Sequence, residues 1–179
     1  MARIPYVDVA SLPAPLQAIL AARPPLNIFR MLPHAVTAAP GFFALGRALL
    51  TESELDPVWR EMVIIRVGIL SHADYEVHQH KQVARSVGMP EDKIAAIEAG
   101  ADAAAFDEME KALLRFTDAV VRDVKASETD FTQVAKQLSH RALCELLLVI
   151  GFYMMVSRFL ENLEVDIESA DLLSKGVSR

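Results

Sequence analysis

The sequence predicts an all-α protein, and three observations predict it. Apolar residues recur at helical spacing along most of the chain, as in Leu113, Phe116, Val120 and Val124. Helix punctuation recurs at matching intervals: Asp56-Pro57 is a start, and Gly88 and Gly100 are stops. No stretch alternates apolar and polar residues as a half-buried strand does, and there is no internal repeat, low-complexity tract or glycine-rich phosphate loop.

In order, residues 1–15 read as an extended, proline-punctuated arm, a candidate for contact with a neighbouring subunit. Leu16 to Ala22 forms a short helix stopped by Pro24 and Pro25. LNIFRMLPHAVTAAPGFFALGRALL carries two helical pieces, one ending near Pro33 and one running from about Pro40 to Leu50. Arg30 and His34 share a face of the first unless Pro33 breaks it. Asp56 and Pro57 launch a helix whose stripe of Met62, Ile65 and Ile69 is widened by Val63, Val67 and Leu70, so it should be largely buried. Ser71 followed by Asp74 reads as a capping box that starts the next helix, which Gly88 ends. Pro90 opens a short helix to Gly100; a longer amphipathic one spans about Asp107 to Lys125, with Val124 on its inner face. Thr129 begins another. The last, roughly Arg141 to Leu163, is apolar nearly all round and should be central or at a subunit contact. Residues 16–168 are thus expected to be one domain, followed by a polar tail over 169–179.

A chain of 179 residues is long enough to bury one sizeable core. Its 53% hydrophobic content and mean hydropathy of +0.26 leave apolar surface to bury between copies, so a homo-oligomer is expected. A net charge of −6 argues against nucleic acid as a partner. One cysteine, Cys144, excludes a disulfide framework and fits a reducing, cytoplasmic setting. The N-terminus lacks an apolar core of signal length, and the run Leu146 to Val156 falls short of the roughly 20 residues of a membrane span, so no membrane partner is expected.

The unusual chemistry is concentrated in REMVIIRVGILSHADYEVHQHKQVARSVG, residues 61–88 with the preceding Arg60. Three of the five histidines lie there. On the second helix His72, Glu76 and His80 are spaced i, i+4, i+8 and share a face, an acid–base arrangement behind an apolar helix. Glu61 on that apolar helix needs a partner, since a lone buried carboxylate is costly; Arg60 or a residue of the second helix would serve.

The same stretch, continued through MPEDKIAAI, resembles the carboxymuconolactone decarboxylase and alkylhydroperoxidase D-like superfamily. The match runs from an R-E-hydrophobic helix through Y-E-x-x-x-H to A-R-x-x-G, and the flanks LNIFRMLPHAVTAAPGFFALGRALL and LLLVIGFYMMVSRFLENLEV are similar too. The resemblance implies an all-α alkylhydroperoxidase D-like fold, assembled as homo-trimers or hexamers. In the family's redox branch a glutamate, a C-x-x-C pair and a histidine relay protons to a thiol. Here Glu61 and His80 match the first and last, while the cysteine positions fall on Ala73 and Glu76, so a thiol mechanism has neither nucleophile nor resolving partner. The decarboxylase branch needs no redox thiol and no cofactor. Its substrate is a small unsaturated lactone bearing a carboxylate, and loss of carbon dioxide leaves a dienolate to be stabilised and protonated. The resemblance makes His80 the general acid or base, Glu76 its tuning partner and Glu61 the end of a relay. Arg30, Arg66 and Arg85 are candidates for the substrate carboxylate, with Tyr75 and His34 as further substrate contacts.

Plainer readings stand beside these. Glu76 and His80 make an ordinary helical pair on a solvated face, worth a few tenths of a kcal/mol, if the helix turns them outward. His72, on the first turn, and His78, pointing roughly 160° from the Glu76–His80 face, are expected at the surface. Trp59, Phe42 and Phe43 pack a core, and Met154 and Met155 pack or line a pocket. Positions eight apart are too distant to hold one metal, and H-E-x-x-H is absent, so no metal is expected. Two alternatives to a decarboxylase remain: a non-catalytic small-molecule binder, favoured by an exposed His80, and a peroxidase using Cys144, disfavoured by the missing cysteine pair. Approach of Glu61 to His80 with an arginine nearby favours the enzyme.

Overall fold

The computed structural model describes residues 1–168, and the tail expected over 169–179 lies outside them. Among the described residues there are α-helices and short 3-10 turns and no strand. The helices are α1 (Ala14–Ala21), α2 (Asn27–Met31), α3 (Ala39–Thr51), α4 (Pro57–Leu70), α5 (Asp74–Ser86), α6 (Glu91–Ala96), α7 (Glu108–Asp123), α8 (Glu128–Ala135) and α9 (His140–Leu163). The chain divides into two compact units, one of Met1–Arg47 with the chain from Leu160 onward, the other of Ala48–Phe159.

In the first unit the N-terminal arm returns onto its own chain. Val7 N donates to Arg30 O, Arg3 N to Leu163 O, and the Tyr6 hydroxyl to Asp166 Oδ2 at 3.0 Å. Pro33 does break the first helical piece: α2 gives way to a 3-10 turn over Leu32–His34, so Arg30 and His34 do not continue one helix face. Phe29 and Phe43 meet edge to face at 5.8 Å, with the Arg23 guanidinium 4.4 Å from the Phe43 ring centre.

The second unit is organised around α4. Asp56 caps it, its Oδ1 accepting from Val58 N and Trp59 N, with Pro57 at the first position. Every residue from Arg60 to Gly68 is buried, as the wide apolar stripe requires. α4 packs on α5 and α7. Gly68 sets its distance from α5: a Cβ there would lie 3.0 Å from Val77 Cγ2 and 3.4 Å from Glu76 Cβ. Arg66 ties α4 to α7. Its Nε and Nη2 donate to the two oxygens of Asp118, both at 2.6 Å, and Nη1 donates to Ile97 O and Glu98 O. Gly100 takes a left-handed φ of 74°, and a side chain there would strike Arg66 Nη2 at 2.7 Å.

The junction of α4 and α5 corrects one reading. Ser71 does not cap α5; it is the C-cap of α4, its Oγ enclosed and without a hydrogen-bond partner among the described residues. α4 closes instead in a Schellman motif. His72 N donates to Ile69 O and Ala73 N to Gly68 O at 2.8 Å, with His72 in the left-handed region at φ 53°. His72 is therefore an exposed turn residue and shares no helix face with Glu76 and His80. α5 ends the same way on Gly88, at φ 89°, which is where the sequence places it.

α7 begins on the expected Asp107, which exchanges a reciprocal capping box with Glu110. Its far end departs from expectation: Val124 is not on the inner face but past the helix, at φ 68° and 86% exposed. α8 starts two residues earlier than Thr129 suggests, because the Ser127 hydroxyl accepts from Asp130 N. α9 combines buried Leu146, Val149, Ile150, Tyr153 and Val156 with exposed Leu147, Leu148 and Met155. By length and composition it is also a helix that could cross a membrane, and half of its most apolar window is buried inside the fold. The apolar run Leu146 to Val156 understates it, because Ala142, Leu143, Phe159 and Leu160 prolong the helix on either side.

Candidate active site

Glu61 from α4 and Glu76 and His80 from α5 come together inside the second unit. Helical spacing puts Glu76 and His80 on one face of α5, and the close contact at Gly68 brings that face onto α4. Glu61 is fully enclosed. Its Oε1 accepts from Arg60 Nε at 3.0 Å and its Oε2 lies 2.6 Å from His80 Nδ1. A buried carboxylate flanked by an arginine and an imidazole is the acceptor in both contacts, so Nδ1 carries the hydrogen. That assigns the tautomer and leaves Nε2 as the working nitrogen. Nε2 faces Glu76 Oε2 at 3.4 Å, an ion-pair distance without hydrogen-bond geometry. Glu76 Oε2 is enclosed and has no hydrogen-bond partner among the described residues.

The surroundings set the protonation. Burial works against the His80 imidazolium, but the Glu61 hydrogen bond and the charges of Glu76 and Glu61 outweigh it, so His80 is raised above its ordinary 6.5. Burial raises the Glu76 carboxyl, with Glu61 adding to the effect and His80 opposing it. Both shifts favour the protonated forms, so the pair holds a proton more readily than either group does in water. The Tyr153 ring from α9 stands edge-on to His80, centroids 4.8 Å apart at 84°. Burial and the two carboxylates push its hydroxyl well above the usual phenol range, which keeps it neutral.

The arginines expected to hold a substrate carboxylate are placed otherwise. The carboxylate that Arg66 holds is Asp118, and both Nη1 hydrogens are taken by main-chain carbonyls. Arg85 lies at the surface in a pair with Glu91. Arg30 and His34 belong to the first unit: Arg30 donates to Asn27 Oδ1 and stacks on Tyr6, and His34 Nε2 lies 2.8 Å from Pro5 O. Tyr75 is buried on the first turn of α5, and His78 is exposed. The arginine that the fold delivers is Arg60, expected from the sequence as a partner of Glu61. Tyr153 is a site residue the sequence does not single out; its one signal is a ring hydroxyl inside the apolar run Leu146 to Val156. Among the described residues no group of three or more His, Cys, Asp or Glu side chains is arranged to hold a metal ion.

Residues 37–119 match the model of the Carboxymuconolactone decarboxylase family. None of the curated proteins is significantly similar in sequence. Among solved structures, the alkylhydroperoxidase AhpD core protein from Ralstonia eutropha JMP134, an uncharacterized peroxidase-related protein, superposes with a TM-score of 0.83 at 19% identity, over 96% of this chain and 94% of that one. A putative antioxidant defence protein AhpD from Agrobacterium tumefaciens gives 0.71 at 19% identity, over 77% of this chain and 96% of its own. The debrominase Bmp8, in complex with 2,3,4-tribromopyrrole, gives 0.77 at 16% identity, over 98% and 99%. At these identities the structures establish the fold alone.

Proposed function

We infer that this chain, which belongs to the carboxymuconolactone decarboxylase and alkylhydroperoxidase D-like superfamily, is an acid–base enzyme of the decarboxylase type. Its substrate is a small, carboxylated, unsaturated lactone. The observation that carries this reading is the His80 imidazole held through Nδ1 by Glu61, with Nε2 against the unpaired oxygen of Glu76. A dienolate left by loss of carbon dioxide needs a proton at carbon, from a donor whose pKa lies near the working pH. In the step proposed, the bond to the departing carboxylate breaks and its electron pair moves into the conjugated lactone carbonyl. His80 Nε2–H then protonates the ring carbon, and the pair with Glu76 regains its proton from water. Glu61 keeps the ring oriented and the imidazolium stable, and Arg60 Nε holds the other oxygen of Glu61.

A binder without catalysis would leave His80 exposed and unsupported, whereas here it is buried between two carboxylates. Thiol chemistry finds no purchase at this site: Ala73 and Glu76 occupy the cysteine positions, and Cys144 is exposed on α9. Self-association belongs to the same reading and is supported by Leu147, Leu148 and Met155 exposed on α9. Sedimentation showing only monomer at micromolar concentration would remove that part.

The experiment is decarboxylation of 4-carboxymuconolactone, followed by ultraviolet absorbance, with wild type and His80→Ala. Turnover that the substitution abolishes supports the reading; a wild type without turnover rejects this substrate.

A further inference from the structure

The C-terminal end of α7, the turn into α8 and the α9 residue Leu147 border an apolar groove of about 380 Å³ that contains no residue of the His80 site. Val120, Phe131 and Leu147 wall it, and the ring of Phe116, 1% exposed, closes its floor. Val124, which ends α7, lines it too. A helix terminator with positive φ is ordinarily Gly or Asn. Here it is a β-branched valine at φ 68° whose side chain is left 86% exposed beside the groove. Such strain points to a use for the side chain, and the protomer itself makes none. A small-molecule pocket has polar groups converging on it. The side-chain atoms that are both enclosed and unpaired belong to Ser71, Glu76 and Ser157, and none of these lines the groove. Its charged residues, Lys125 and Glu128, are exposed, and neither has an ion-pair partner among the described residues. The groove therefore suits apolar side chains framed by charge.

These features complement themselves. Val124 is a knob beside a hole of the same apolar chemistry, and Lys125 and Glu128 sit on one turn with opposite charge. About a two-fold axis through that turn, Val124 of each copy enters the groove of the other, and each Lys125 meets the other copy's Glu128. That reciprocity defines an isologous contact. We propose that the α7–α8 groove is a two-fold interface between copies of this chain, with Val124 as its knob and the Lys125–Glu128 pairs setting its register. A foreign partner needs only the groove; knob and opposite charges on the same turn match a second copy. The proposal rests on the self-association reading and gives it a place. Leu147 belongs both to the groove and to the exposed apolar residues of α9, with Leu148 and Met155, so the contact continues onto that helix.

Sedimentation velocity of the full chain across micromolar concentrations tests this. Wild type is expected as a dimer, or as a larger assembly with an even number of copies that splits in half at this contact. Lys125→Glu and Glu128→Lys, made singly, each bring like charges together twice across the axis and should raise the dissociation constant about tenfold or more. Lys125→Glu with Glu128→Lys reverses both sides and should return to within about threefold of wild type. Val124→Gly removes the knob and relieves the positive φ, so it should weaken the contact without destabilising the separated copies. Val124→Asp is the harsher variant; where circular dichroism shows that it fails to fold, the charge swap carries the test. Weakening in both single variants without recovery in the double, or an assembly indifferent to every one of these variants, would overturn the proposal. An indifferent assembly that Leu148→Asp dissociates sinks the groove and leaves self-association through α9 standing. A wild type that stays monomeric throughout sinks both.

Discussion

Arg60 and Arg66 lie on the same buried helix with the same 6% exposure, yet they serve different ends. Arg66 is bound through all three of its nitrogens. It forks onto Asp118, reaches two carbonyls in the Ile97–Glu98 turn and lies against Gly100. Arg60 donates through Nε to the neighbouring Glu61, whose other oxygen holds His80. A buried ion tied on every nitrogen holds elements together. An enclosed oxygen without a hydrogen-bond partner, as Glu76 Oε2 is, carries unspent hydrogen-bonding capacity. The teaching is that completeness of partners, rather than burial or charge, separates scaffold from site in this unit.

Substitutions can break that division. The largest effect is expected at the site: His80→Gln should lower turnover of the substrate by about 10²–10⁴-fold, the ordinary worth of a general acid or base, with the far-ultraviolet spectrum unchanged. A loss under threefold would put His80 among the scaffold. On the scaffold side, Arg66→Ala leaves Asp118 with Arg122 alone at 3.5 Å and frees two carbonyls, and should cost about 1.5–3 kcal/mol in urea unfolding. Gly100→Ala perturbs the same clamp through its positive φ and its contact with Arg66, and should cost about 1–2 kcal/mol. Full stability in either variant would contradict the clamp.

Stability against pH sharpens the contrast. His80 and Glu76 both have folded pKa values raised above their ordinary 6.5 and 4.5. A raised value means stabilisation that is complete below the unfolded pKa and disappears as pH climbs through the folded one. The stability advantage of wild type over His80→Gln should therefore shrink as pH rises from 6.5 upward, while Arg66→Ala shows a deficit that hardly varies with pH over the same range. The smallest effect expected is His72→Gly, which relieves a left-handed histidine at φ 53° and should stabilise by about 0.5–1 kcal/mol.

How much of this was legible in the sequence follows from how local each signal is. Asp56-Pro57, Asp107 and Gly88 act within one helical turn, and the structure has the starts and stop they announce. Ser71 and Asp74 have the spacing of a capping box, yet the Schellman closure on His72 takes the junction, because the last carbonyls of α4 also need donors. The pairing of Glu61 with His80 came from the family pattern, since two helices must pack before the atoms meet. The two arginines could not be told apart: only Asp118, far along the chain, shows which one is consumed. Tyr153 arrives from α9 by packing alone, and periodicity carries no trace of its partner.

The central claim is that His80 gains and loses its proton at Nε2, beside Glu76, while Nδ1–H stays on Glu61. Long-range ¹H–¹⁵N spectra of histidine-labelled protein, taken across a pH titration, observe both nitrogens directly. Nδ1 should remain protonated throughout and Nε2 alone should titrate, at a pKa above 6.5 that falls in Glu76→Gln. A bare Nδ1 with a proton fixed on Nε2 at high pH, or titration below 6.5, would contradict the account.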